Sequence, residues 1–215
     1  MEKYKSLLAL TNNTRIVGTR IWRSDAVCGL TEADIGLLVK KGITAFIDMR
    51  TDDEVGRSPS AFADIQGFEY HHIAVTVGSV PPPSLEEVPL SYMEIAREPV
   101  TAEVFRVIAS ARDGAMFGCT AGKDRTGVIA AILQLLCGAD DQTIIKDYAL
   151  SREYNRKRLE QYISAHPEVD RNVVLANEKS MERFLCLFRE KYGSAKNYFD
   201  SIGVPTGRLF EKMTE

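Results

Sequence analysis

Cys119 stands six residues ahead of Arg125 in the string FGCTAGKDRTG, residues 117–127. A thiol and a guanidinium at that spacing suit the handling of a phosphate-like anion. Gly114 to Phe117 is a short apolar run suited to a buried strand, and Val128 to Leu136 is apolar and long enough for a buried helix. The loop between them reads as strand, turn and helix N-terminus. There the backbone N–H groups of Thr120, Ala121, Gly122, Lys123, Asp124, Arg125 and Thr126 have few intrahelical partners, and the helix dipole favours negative charge. Gly122 lets the backbone approach a ligand closely, and Arg125 offers a permanently charged fork matched to two phosphate oxygens. The same field favours the thiolate of Cys119, the nucleophilic form.

The Cys-to-Arg spacing alone is weak, because an inert buried cysteine beside a surface turn would show it too. The full string is more specific, adding Gly122, Lys123, Asp124, Thr126 and Gly127 in order between a strand and a helix. A nucleotide-binding P-loop is excluded. That motif needs four residues between its first glycine and Gly-Lys, followed by Ser or Thr, whereas three residues separate Gly118 from Gly122 and Asp124 follows Lys123.

CTAGKDRTG resembles the signature loop of the cysteine-dependent phosphatases, in particular a bacterial tyrosine phosphatase family whose loop carries Lys-Asp between glycine and arginine. Residues 23–55, RSDAVCGLTEADIGLLVKKGITAFIDMRTDDEV, are similar to that family's Arg-Ser entry, first helix and Asp-Leu-Arg strand, with Met49 in place of the usual leucine. Asp147-Tyr148 to Ser151 and FREKYGSAKNYFDSIGV, residues 188–204, extend the resemblance over most of the chain. It implies hydrolysis of phosphotyrosine, with some members also taking phosphoserine, phosphothreonine or phosphoinositides, and it implies no metal or other cofactor. Gly118 departs from the pattern: the family usually places there a His that orders the loop and holds the thiolate. The nucleophile is therefore expected to be less activated than in relatives.

The chemistry so implied has two steps. Cys119 attacks phosphorus while the loop amides and Arg125 stabilise the equatorial oxygens and an acid protonates the leaving oxygen. Water, assisted by the same carboxylate, then releases phosphate, and Thr126 donates a hydrogen bond to the departing sulfur. The acid is open. The best-known tyrosine phosphatases take it from an aspartate some tens of residues before the cysteine, yet no Asp occurs between Asp64 and Asp113. Asp124 lies inside the loop. Asp48 ends the apolar run Thr44 to Ile47, which reads as a central parallel strand whose carboxyl end faces the same mouth, though it could equally brace Arg125 or nearby backbone. Glu86 and Glu87 are weaker candidates. Lys123 reads either as a phosphate or headgroup contact at the rim or as a solvated loop residue. Arg152, Arg156, Lys157 and Arg158 form a basic cluster that is either a solvated helix face or a platform for an anionic headgroup or acidic phosphopeptide.

Outward from these residues, the chain alternates strand and helix signals and then becomes helical. Ile16 to Arg23 is a candidate extended segment, and Thr31 opens a helix with Asp34 three residues on and Gly42 at its close. Strand Thr44 to Asp48, another strand over Phe68 to Val75, a turn or rim segment GSVPPPS at 78–84, and a helix capped by Thr101 and ending near Asp113 follow. Met181, Phe184, Leu185 and Phe188 share one helix face as core or lid packing. The expected fold is α/β: a central, mostly parallel sheet of about four to five strands flanked by helices, with a helical C-terminal part.

At 215 residues and 45% apolar content, residues 1–215 are expected to form a single domain, with a helical cover over the site within 140–175. A net charge of -3 gives no basic excess for general nucleic-acid binding. No run approaches a membrane span, the first residues lack a signal-peptide core, and the four cysteines are unpatterned, so a cytoplasmic location is expected. Neither those cysteines nor the adjacent His71 and His72 show metal-ligand spacing, and as strand neighbours the two histidines would face opposite sides. The expected activity is a phosphatase acting on a phosphorylated protein or phosphoinositide; a catalytically weak phosphate-binding module is the alternative.

Overall fold

The computed structural model describes residues 4–215. Five strands, β1 (Arg15–Gly18), β2 (Ile21–Ser24), β3 (Ile43–Asp48), β4 (Glu69–His72) and β5 (Gly114–Gly118), make one sheet in the order β1-β2-β5-β3-β4. β2, β5, β3 and β4 run parallel, and only the edge pair β1–β2 is antiparallel. The helices are α1 (Glu32–Lys40), α2 (Asp52–Arg57), α3 (Val88–Arg97), α4 (Pro99–Ser110), α5 (Asp124–Leu136), α6 (Asp141–Tyr154), α7 (Arg156–Ala165), α8 (Arg171–Val174), α9 (Glu178–Tyr192), α10 (Ala195–Ser201) and α11 (Gly207–Thr214). The α/β class, the mostly parallel sheet and the helical C-terminal part are as the sequence predicts.

Side chains alternate across the sheet and build two cores. Ile21, Ala45, Ile47, Ala115 and Phe117 face the larger one, shared with α3, α4, α5, α9, α10 and α11, while Trp22, Ile43, Phe46 and Met116 face the smaller one with Leu38 of α1 and Phe62. Ile43 and Ala45, two apart, fall on opposite faces because the register slips between them where β3 meets β5. α5, buried almost all round, runs behind the sheet. Met181, Phe184, Leu185 and Phe188 are fully enclosed, which makes that stripe of α9 core rather than lid.

The boundaries explain themselves locally in some places and not in others. Thr31 and Asp34 form a reciprocal capping box at α1, and Gly42 follows with φ of 68°, the left-handed conformation glycine adopts without strain. Ile16 to Arg23, expected as one extended segment, is instead a hairpin. Its turn is fixed by α11, whose Met213 and Lys212 carbonyls accept from the amides of Thr19 and Arg20. Thr101 does not cap α4. The helix starts two residues earlier at Pro99, whose ring presets a helical φ and whose missing N–H costs nothing at a first position; the Thr101 hydroxyl donates to the Ile95 carbonyl.

Candidate active site

Ser24, Asp48 and Gly118 end three parallel strands side by side, and the loop from Cys119 springs from that carboxyl edge into α5. This is where open α/β sheets collect ligands. Cys119, 3% exposed, lies at the floor of a cavity of about 170 Å³. The Thr126 hydroxyl donates to its sulfur at 3.0 Å.

Arg125 reaches over the same floor. Its Nη1 donates to the Met49 and Val75 carbonyls at 3.1 and 3.3 Å, and Nη1 and Nη2 each donate to a separate oxygen of Glu54 at 2.8 Å. The Nε is buried with no hydrogen-bond partner among the described residues. Burial lowers the affinity of this guanidinium for its proton, but the facing Cys119 and Glu54 more than reverse that and hold it above the ordinary arginine value. For Glu54, burial pushes upward, while hydrogen bonds from Arg125 and Thr120 and the arginine's charge pull its carboxyl down to about 2. Arg125 thus arrives at the cavity already clamped, with one donor edge unspent. Nothing in the sequence marks Glu54 as a partner of Arg125. Its spacing from Thr51, which makes it the second half of the α2 capping box, locates a helix start but says nothing of a partner 71 residues away.

The loop's carbonyls point away from the cavity. Thr120 O accepts from Arg158 Nη1 at 2.6 Å, Ala121 O from Asn155 Nδ2 at 2.8 Å and Asn13 Nδ2 at 2.9 Å, and Gly122 O from Asn13 Nδ2 and Arg23 Nη2, both at 2.9 Å. In a trans peptide the N–H points opposite to the C=O, so the amides of Ala121, Gly122 and Lys123 turn inward. Gly122 sits here for a different reason from the one the sequence suggested. It has φ of 63°, and a Cβ on it would lie 2.6 Å from the Ser24 carbonyl oxygen; the close approach is to the end of β2 rather than to a ligand. Gly118 is similarly pressed, with Ser24 and Asp25 carbonyl oxygens 3.0 Å from where a Cβ would stand. A bulky residue such as histidine does not fit that spot unless the end of β2 moves.

Of the acid candidates, Asp124 lines the cavity with Cys119 and Arg125. Tyr92 donates to its Oδ1 at 2.5 Å, and Tyr148, also at 2.5 Å, completes a chain through Tyr92. Asp48 is turned elsewhere. Its carboxylate, 1% exposed, is taken by Arg50 at 2.7–3.1 Å and by the Tyr70 hydroxyl, and it does not line the cavity. The strand end places the Asp48 backbone at the mouth, but Arg50, two residues on, claims the side chain; it braces Arg50, not Arg125. Glu86 and Glu87 are exposed and outside the cavity wall.

Lys123 is neither a free rim cation nor solvated. It is 5% exposed, and its ammonium donates to the Val174 and Val173 carbonyls at 2.6 and 3.4 Å, fastening α8 to the loop. Of the basic cluster, Arg158 alone lines this cavity; Arg152 pairs loosely with Glu153 and Glu178 at the surface. The upper walls are apolar: Val80, Pro81 and Pro82 on one side, Leu159, Tyr162, Val173 and Val174 of α7 and α8 on the other. His72 donates through Nε2 to the Arg50 carbonyl, 2.8 Å away. Among the described residues no group of three or more His, Cys, Asp or Glu is arranged to hold a metal ion, and no helix is long and apolar enough to cross a membrane.

Residues 7–212 match the tyrosine phosphatase family. Over 136 residues the chain is 38% identical to a tyrosine-protein phosphatase of Nostoc commune, in an alignment covering 58% of this chain and 46% of that protein, so the chain spans about half the length of that relative. Among solved structures, the core catalytic domain of the PP-IP phosphatase Siw14 from S. cerevisiae is similar at 13% identity and a TM-score of 0.45, covering 89% of this chain and 93% of that one. TpbA of P. aeruginosa, in complex with pTyr, is similar at 12% identity and a TM-score of 0.38, covering 81% and 90%.

Proposed function

The chain belongs to the tyrosine phosphatase family, and on that premise we propose that it hydrolyses phosphotyrosine monoesters through a cysteinyl-phosphate intermediate. The phosphoryl group sits on the inward amides of residues 121–123, one oxygen taking the Nε of Arg125, the buried donor that otherwise has no partner. The observation that carries the reading is that Cys119, with the Thr126 hydroxyl on its sulfur, shares one cavity with the clamped guanidinium of Arg125. The Cys119 thiolate attacks phosphorus, the S–P bond forms as the bond to the leaving oxygen breaks, and Asp124 gives that oxygen its proton. Water then attacks phosphorus, Asp124 takes a proton back, the S–P bond breaks, and the Thr126 hydroxyl donates to the returning thiolate.

The apolar walls above the cradle suit an aryl ring better than a polyol, which supports phosphotyrosine ahead of a phosphoinositide; phosphoserine and phosphothreonine, which are shorter, gain less from those walls. We extend the proposal to one domain spanning the chain, with α7 and α8 as the cover over the site.

Phosphate release from a phosphotyrosine peptide, beside phosphoserine, phosphothreonine and phosphoinositide substrates, tests this. Cys119→Ser is expected to abolish turnover while retaining oxyanion binding, and Asp124→Asn to lower kcat by about 10²–10⁴-fold. A wild-type protein that binds tungstate yet releases no phosphate would make it a phosphate-reading module instead.

A further inference from the structure

We propose that Arg158 and Asn155, whose hydrogen bonds go to loop carbonyls rather than to Cys119, are positioning residues that hold the cradle's amides inward from the cover side. The inference rests on the phosphatase reading, but its direct readout is oxyanion binding. Each of the inward amides of Ala121, Gly122 and Lys123 is set by the carbonyl one residue earlier. Gly122 O is anchored from the sheet side by Asn13 and Arg23. Ala121 O is shared between Asn13 and Asn155. Thr120 O depends on Arg158 at 2.6 Å, with only a long 3.4 Å contact from the Ala26 amide to assist. The grip therefore passes from scaffold to cover along the loop.

Two features make these contacts more than incidental packing. Asn155, 1% exposed, spends its Nδ2 on Ala121 O while its Oδ1 is buried without a partner. An apolar residue would avoid that penalty, so the amide is held there by what its donor half does. Arg158, which lines the cavity along with Glu54 and Asp124, directs a charge-assisted hydrogen bond at the neutral Thr120 carbonyl. Asn155 is the single residue joining α6 to α7 and Arg158 lies in the first turn of α7, so seating of the cover and assembly of the cradle are one event.

The experiment compares Arg158→Met, Asn155→Ala and the charge control Arg152→Met, which removes a cation from α6 without a contact to the loop. Tungstate affinity, kcat and KM for p-nitrophenyl phosphate, and melting temperature are measured on each. Losing an oxyanion donor outright costs about 10²–10³-fold in kcat, so loosening one should cost roughly tenfold or more, with tungstate affinity falling in parallel. Arg158→Met and Asn155→Ala are expected to show both losses with Arg152→Met near wild type, and Arg158→Lys, which keeps a donor, is expected to recover part of them. The proposal is overturned if Arg158→Met behaves like Arg152→Met, or if the loss appears only as a raised KM for a phosphopeptide, which would mean a direct substrate contact. It is overturned equally if rates on the folded fraction are unchanged and only the melt falls. Should Asn155→Ala fail to fold, the half-buried Arg158 carries the test. A wild type that binds tungstate without turnover would sink the phosphatase reading alone; one that binds no oxyanion would sink both.

Discussion

Glu54 makes the guanidinium of Arg125 a fixed part rather than a swinging one. Its carboxyl is held near 2 against an ordinary 4.5, because the bonds from Arg125 and Thr120 outweigh burial. A depressed carboxylate contributes stability that is fully present above its unfolded value and is lost as pH falls from about 4.5 towards about 2. Melting temperatures recorded from pH 7 to pH 2 should show that loss in the wild type and a flatter curve over the same window in Glu54→Gln. The same variant, assayed at neutral pH, should lose on the order of a hundredfold in kcat as Arg125 drifts from its aim; unchanged kcat would remove Glu54 from any positioning role. At this scale the sequence was legible where partners are neighbours in the chain. Cys119, Arg125 and Thr126 sit within one loop turn, so spacing brings them together. Glu54, Asn13 and Asn155 reach the loop from 71, 108 and 34 residues away, and no local pattern marks them. Asp48 was misplaced because strand position sets where a backbone ends, while Arg50 decides where the carboxylate turns.

The junction of β5 and α5 works because two glycines let it lie flat on the end of β2. Gly122→Ala meets both a φ of 63° and a 2.6 Å approach to the Ser24 carbonyl, so it should cost at least about 1–3 kcal/mol and abolish tungstate binding. Gly118→His, which would place a bulky ring against the end of β2, should destabilise by roughly 1–3 kcal/mol and lower activity, as denaturant titration and p-nitrophenyl phosphate turnover would report. A gain in rate would show that β2 can yield. Elements with self-contained signals, such as the capping box of α1 and the apolar runs of β3 and β5, were readable from composition and period. The β1–β2 hairpin was not, since its turn is made by bonds to Lys212 and Met213 at the far end of the chain.

Across the whole molecule, α9, α10 and α11 bury Phe184, Phe188, Tyr198, Phe199 and Leu209 in the same core as β3, β5 and α5. Nothing in that core divides the C-terminal helices from the sheet. Calorimetry should therefore give one transition with equal calorimetric and van't Hoff enthalpies, and two resolved transitions would contradict a single domain. The cavity's two walls differ in kind. On one side Val80 leads into Pro81, Pro82 and Pro83, whose rings have already surrendered backbone freedom, whereas the facing wall belongs to helices joined to the loop by a few polar contacts. On the proposed function, a bound ligand is expected to order the helical wall more than the proline wall, so differences in ligand girth should register there first.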